Sequence, residues 1–211
     1  MTLTFSLYKP NEIGVMKRIV EFLFEIGMLK KTPRTGYQFL GSGKESVAAH
    51  SFRTAVIGYA LAVDQEKVDT EKVVLMCLFH DFPEARTGDH NYVNKKYVHI
   101  DEDRAIKDQV QSLPFAKEVL ALNREFNKGQ TIEAKIARDA DQLDLIFELK
   151  EHLDIGNAYA KDWLTFAVKR LTTDKAKKMA EMVLATDWTS WWFDKKTDWW
   201  INGPEGNATT R

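Results

Sequence analysis

The sequence has a single cysteine, Cys77, in 211 residues. No internal disulfide can form. The residue lies in an apolar run, where a small core side chain is expected, and that usage fits a reducing compartment. An excess of one charge is also missing, because 30 basic side chains face 31 acidic ones for a net of -1. No basic stretch offers a footprint for RNA or DNA, and the balance gives no sign of a membrane surface. No apolar run approaches the roughly 20 residues that a membrane helix needs. The opening MTLTFSLYKPNE lacks the basic start and long apolar stretch of a signal peptide. The expectation is a soluble, cytoplasmic protein with no nucleic-acid or membrane partner. Strand-like alternation is nowhere sustained, and there is no internal repeat.

Helix-period patterns fill most of the chain. Hydrophobic residues make up 44% and charged residues 29%, so one domain can build an ordinary core without staples. Residues 11–29 place Ile13, Met16, Val20, Leu23 and Phe24 near one stripe. Further helices are expected near 46–63, 70–80, 101–112, 115–127, 131–154, 157–170 and 173–186. Pro83 suits the first turn of a short helix, where a missing N–H is harmless. Loops are expected at 31–44 and 87–100. The class is all-α. The stretch DWTSWWFDKKTDWWINGPEG holds five of the six tryptophans. Tryptophan at that density seldom stays in water, so this segment is expected to pack across the domain or against a dimer partner. The final NGPEGNATTR is expected to be disordered. The division is then residues 1–187 for the domain and 188–211 for a Trp-rich extension.

The run Val73-Val74-Leu75-Met76-Cys77-Leu78 ends in Phe79-His80-Asp81. An imidazole and a carboxylate at the end of a buried helix need compensation. A divalent cation compensates both, taking the imidazole lone pair and neutralising the carboxylate. Two ligands are too few. His50 lies among Val47, Ala48, Phe52, Ala55 and Val56, on a mostly apolar helix, and is one candidate; a lone histidine there is also a common structural residue. An aspartate of ARDADQLDLIF is another. Asp139 sits closer to the apolar face set by Ile132, Ile136, Ala140, Leu143 and Phe147, whereas Asp141 has Ala137 and Leu145 four residues to each side. Spacing leaves Asp139, Asp141 and Asp144 all open.

The order of these residues resembles the HD-domain metal-dependent phosphohydrolases, and within them the 5'-deoxynucleotidase subgroup. PRTGYQFLGSGKESVAAHSFR is similar to that subgroup's Arg-Thr-Gly and Glu-Ser-Val-x-x-His-Ser stretch. HDFPEARTGD is similar to its His-Asp-x-x-Glu-x-x-x-Gly-Asp, and DADQLDL to its Ala-Asp-x-Leu. The likeness spans about residues 10–170 and leaves the tryptophan-rich tail outside. It implies an all-α HD-domain helical bundle with a single site for one divalent cation (Mn, Co, Fe, Ni, Zn or Mg), held by His50, His80, Asp81 and Asp141. It further implies a catalytic Glu84 and a phosphate-gripping Arg34. Asp89 would recognise substrate through a sugar hydroxyl, and Lys95 and Lys96 would add charge nearby. Members with a clear deoxyribose preference often carry an aromatic residue right after the loop arginine. This chain has Thr35 there, and its nearest aromatic is Tyr37.

The implied reaction is metal-dependent hydrolysis of a small nucleotide, a deoxynucleoside 5'-monophosphate first, by a homodimer. The rival readings are hydrolysis of another phosphorylated metabolite or a signalling nucleotide, and a non-catalytic metal-binding regulatory domain. His90, His99 and His152 fall at no motif position. His90 adjoins Asp89, and the other two are expected to be surface or structural residues.

Overall fold

The computed structural model describes residues 10–203. Eleven α-helices run in chain order among the described residues: α1 Pro10–Ile26, α2 Tyr37–Leu40, α3 Val47–Ala62, α4 Thr70–Phe79, α5 Glu84–Thr87, α6 Glu102–Val110, α7 Ala116–Lys128, α8 Ile132–Asp154, α9 Ala160–Ala167, α10 Asp174–Ala185 and α11 Trp199–Asn202. The only strand-like pairing in that range is an isolated bridge between Pro33 and Ser46. No described helix is long and apolar enough to cross a membrane.

The helix starts follow from side chains that accept orphan backbone N–H groups. Ser46 caps α3, Asp69 caps α4, Asp101 caps α6, Thr131 caps α8 and Thr173 caps α10. The expected 31–44 loop contains the one-turn α2, and the 87–100 loop contains a 3-10 turn at Asn94–Lys96. The helix expected over 157–170 is shorter, starting at Ala160 and tightening into a 3-10 turn at Val168–Arg170.

α8 is the spine. Ile136, Ala137, Ala140, Leu143, Ile146 and Leu149 are all buried along it. α3 and α4 pack on it, as do α9 and α10, and together they enclose the larger hydrophobic core. A smaller core gathers Phe22 of α1, Phe82, and Ile106, Val110 and Val119 of α6 and α7. Helices joined by a short connection run antiparallel. The first turn of α3 and the last turn of α4 therefore lie at the same end of the bundle. Gly58 lets these two helices approach: a Cβ there would sit 2.7 Å from Cys77 Sγ.

Two expectations need correction. On α1 the buried side is Phe22, with Ile19 and Ile26 half-buried, packed against Phe82 and Phe115. Met16, Val20, Leu23 and Phe24 face outward, Phe24 at 78% exposure. The helix is apolar on more than one side, so period alone could not choose the face. In the tail, the tryptophans do not pack across the domain. Trp192, Trp199 and Trp200 contact one another through their rings, with Trp199 and Trp200 centroids 4.5 Å apart, and Trp191 remains 83% exposed. A backbone N–H at Trp188 reaches Asp154 of α8 at 3.3 Å. Most of the stretch expected to be disordered, residues 204–211, lies outside the described residues.

Candidate metal centre

His50 is in the first turn of α3 and His80 caps the end of α4, so the fold delivers both to one end of the bundle. Their rings meet edge to face at 5.4 Å. Each ring is fixed through Nδ1. His50 Nδ1 lies 2.6 Å from Asp144 Oδ2, and His80 Nδ1 lies 2.8 Å from the Cys77 carbonyl. The carbonyl can only accept, so Nδ1 of His80 carries a proton, and the Asp144 carboxylate oxygen calls for the same at Nδ1 of His50; Nε2 is then the ring nitrogen each histidine would offer to a cation, which takes the place of any proton there.

Both Nε2 atoms are buried and make no hydrogen bond. They face carboxylates all the same. His50 Nε2 is 3.2 Å from Asp141 Oδ1 and 3.5 Å from Asp81 Oδ2. His80 Nε2 is 3.1 Å from Asp81 Oδ2 and 4.0 Å from Asp141 Oδ1. Around one ion with bonds of about 2.0–2.2 Å, donors sit roughly 3.0–4.4 Å apart. The four separations fall in that range. Two buried Nε2 atoms beside two carboxylates are a donor set for a divalent cation, with His50, His80 and Asp141 close enough together to share one, and the mixture of imidazole and carboxylate suits first-row transition metals.

The electrostatics agree. Burial and Arg34 oppose a charge on His50, but its contacts with Asp141 and Asp144 outweigh them and raise its pKa to about 10. Burial opposes ionisation of Asp81 and Asp141 too, yet the imidazoles and Arg34 hold both carboxyls below their usual range. Two carboxylates that stay ionised in a buried site mark a place that attracts positive charge.

Asp81 and Asp141 line a cavity of about 290 Å³ whose wall also includes Arg34, Glu84, Asp89 and Lys95. Arg34 reaches inward, with Nη1 3.5 Å from Asp81 Oδ2 and 3.8 Å from Asp89 Oδ1. Asp89 ties two loops together, because its Oδ2 accepts from both the backbone N–H and the hydroxyl of Thr35. Glu84 opens α5 beside the cluster, and its Oε2 is buried without a hydrogen-bond partner. Burial, then Asp81 and Asp89, push this carboxyl well above the usual range. Lys95 lines the cavity, whereas Lys96 is exposed and does not.

The three aspartates of α8 have three different surroundings. Asp139 is buried and accepts from the backbone N–H groups of Thr172 and Thr173 at 2.9 and 2.7 Å, holding the start of α10. Asp141 faces the histidines. Asp144 holds His50 and accepts from Arg53. The cavity wall also contains residues the sequence did not single out. Gln142 donates to Asp141 Oδ2 at 3.0 Å and accepts from Arg170 at 3.1 Å. Arg170 in turn stacks 5.0 Å over Tyr92. Trp163 of α9 lines the same space. Its only sequence signal was a lone tryptophan on an amphipathic helix, which reads as core. His90 lines the cavity and contacts the Thr87 carbonyl, His99 is exposed, and His152 is buried against Tyr37 and Ser42.

A family model for the HD domain matches residues 26–183. A Bos taurus protein named 5'-deoxynucleotidase HDDC2 is 33% identical over 147 residues, covering 67% of this chain and 71% of the relative. The Schizosaccharomyces pombe 5'-deoxynucleotidase hdd1 is 31% identical over 144 residues, covering 64% and 72%. A conserved hypothetical protein from Pyrococcus furiosus has a solved structure similar to this one at a TM-score of 0.70. It is 29% identical, over 79% of this chain and 99% of that one.

Proposed function

This chain belongs to the HD-domain family, and from that premise we propose that it is a metal-dependent phosphomonoesterase that converts deoxynucleoside 5'-monophosphates to deoxynucleoside and phosphate. The observation that carries the reading is the pair of buried, unpartnered Nε2 atoms facing Asp81 and Asp141, which line a cavity that also holds Arg34 and Glu84. The relatives named as 5'-deoxynucleotidases support the substrate class.

His50, His80, Asp81 and Asp141 would hold one divalent cation, with Mn, Co, Fe, Ni, Zn and Mg all compatible with the donor set. When bound, it supplies Lewis-acid polarisation of the phosphoryl group. Arg34 grips the phosphate oxygens, for which a planar guanidinium is the suited cation. Glu84 accepts the proton of the attacking water as the water oxygen bonds to phosphorus. The P–O bond to the sugar breaks, and the departing 5'-oxygen takes up the proton that Glu84 accepted from the water. Asp89 acts at the sugar end, and Lys95 and Lys96 add positive charge along their loop. Residues 1–187 form the phosphohydrolase domain and 188–211 an extension to it. Buried Cys77 fits a reducing, cytoplasmic setting.

The test is phosphate release from a panel of ribo- and deoxyribonucleoside 5'-monophosphates, with each cation and with chelator. Chelator-sensitive release confined to the deoxy series is expected. Release without sugar preference discards the narrower substrate. No release from metal-loaded protein moves the assignment to another phosphorylated metabolite or signalling nucleotide, or to a regulatory domain.

We also propose a homodimer. α1 exposes Met16, Leu23 and Phe24, and α3 exposes Phe52, Val56 and Tyr59 along one stripe that its C-cap Val63 continues. Apolar surface of that extent marks an association site. Sedimentation should report twice the mass of one chain, and Phe52→Glu should halve it. A monomeric wild-type protein at micromolar concentration sinks the proposal.

A further inference from the structure

The two histidines of the centre are held differently. His80 donates Nδ1–H to a neutral carbonyl, that of Cys77. His50 faces a carboxylate, Asp144, that is 1% exposed at its side chain and 2.6 Å from Nδ1. Asp144 is itself held. Arg53 donates through Nε to its Oδ1 and reaches its backbone carbonyl at 3.4 Å. Arg53 is fixed in turn by Glu148 at 2.6 Å and Glu151 at 3.0 Å, with Glu45 3.9 Å away.

We propose that Asp144, locked by Arg53, is a positioning residue that orients His50 and strengthens it as a cation ligand; this rests on the cation reading above. A buried anion on Nδ1–H keeps the Nε2 lone pair directed at Asp81 and Asp141. It also pushes electron density toward that lone pair, as a neutral carbonyl does less. Arg53 has a second effect. Glu45, His50 and Asp144 could by spacing form a cation site of their own. The guanidinium already supplies positive charge there, so Asp144 stays committed to His50 and does not turn to bind an ion.

Asn in place of Asp144 removes the charge and keeps the shape. Its single oxygen cannot accept from both His50 and Arg53, so one contact is lost. Asp139 is the control: it is equally buried on α8, but it holds Thr172 and Thr173 and makes no contact with either histidine. Co²⁺ alone is titrated into metal-free wild-type protein, Asp144→Asn and Asp139→Asn, with binding read from the cobalt absorption band and stability from urea unfolding. Asp144→Asn is expected to weaken Co²⁺ binding by about 10- to 100-fold. Asp139→Asn is expected to lower stability and leave cobalt affinity unchanged. Equal affinity in Asp144→Asn and wild type overturns the inference, as does an equal loss in both variants. Wild-type protein that takes up no cobalt overturns the cation reading itself, a distinguishable result. If Asp144→Asn does not fold, ¹⁵N-labelled wild-type protein loaded with Zn²⁺ decides: the His50 Nδ1 proton should resonate downfield of that of His80. Coincident positions would overturn the inference.

Discussion

His80→Ala protein is expected to lose its bound cation and its phosphatase activity together. On the proposed reading His80 supplies one of four donors, and its Nε2 is buried and makes no hydrogen bond. Removing it leaves Asp81 and Asp141 as two buried carboxylates with less positive charge between them. A cation polarising the phosphoryl group supplies several kcal/mol of transition-state stabilisation, so the rate should fall on the order of 10³-fold. The ring also packs 4.8 Å from Phe126 in the core. Truncation there costs stability as well, roughly 2–4 kcal/mol by analogy with other large-to-small core changes. Asp141→Asn separates the two effects. Asp141 lies at the cavity wall with 23% of its side chain exposed, so its replacement spares the core. Elemental analysis and phosphate release on both folded variants are the measurements. Stoichiometric metal with wild-type turnover in either one would remove that residue from the centre.

How much of this was legible beforehand varies by residue, for physical reasons. The long helices were readable because a 3.6-residue apolar period and a polar cap mark their limits, as Ser46 and Asp69 do for α3 and α4. The pairing of His50 with His80 was accessible from order and resemblance, and Gly58 shows in packing terms why their helices can meet. The choice among Asp139, Asp141 and Asp144 was not accessible from spacing. α8 is covered on several sides, so each aspartate points at a different partner, and only those partners tell them apart. The exposed stripe of α1 failed for the same reason in reverse: a helix with apolar residues on more than one side carries no instruction about which side the core will take. Gln142, Arg170 and Tyr92 were silent because their contacts join α8, the end of α9 and the 88–101 loop across long stretches of chain. In the tail, packing across the domain was not realised, because within one chain the rings satisfy one another in part and stay partly exposed.

Glu84→Gln should leave metal content intact and lower kcat by about 10²-fold or more. The side chain opens α5 directly after Pro83 and lines the cavity beside Asp81. Its Oε2 is buried with no hydrogen-bond partner. Without a cation, burial and the charges of Asp81 and Asp89 raise its proton affinity; positive charge held by Asp81 and Asp141 would offset this and leave Glu84 an ionised carboxylate able to take a proton from water. Glutamine keeps the volume and one oxygen but cannot accept that proton. The competing explanation is local: an acid in the first turn of a helix stabilises it through the dipole, by about 0.3–1 kcal/mol. On that account Glu84→Gln would shift the unfolding midpoint slightly and leave turnover alone. The two explanations therefore differ in kcat, not in stability. If Glu84 acts in the chemical step, kcat and kcat/KM should fall by the same factor while KM stays near its wild-type value. A fully active Glu84→Gln protein would return this residue to a purely structural role and leave the proton acceptor to be found elsewhere on the cavity wall.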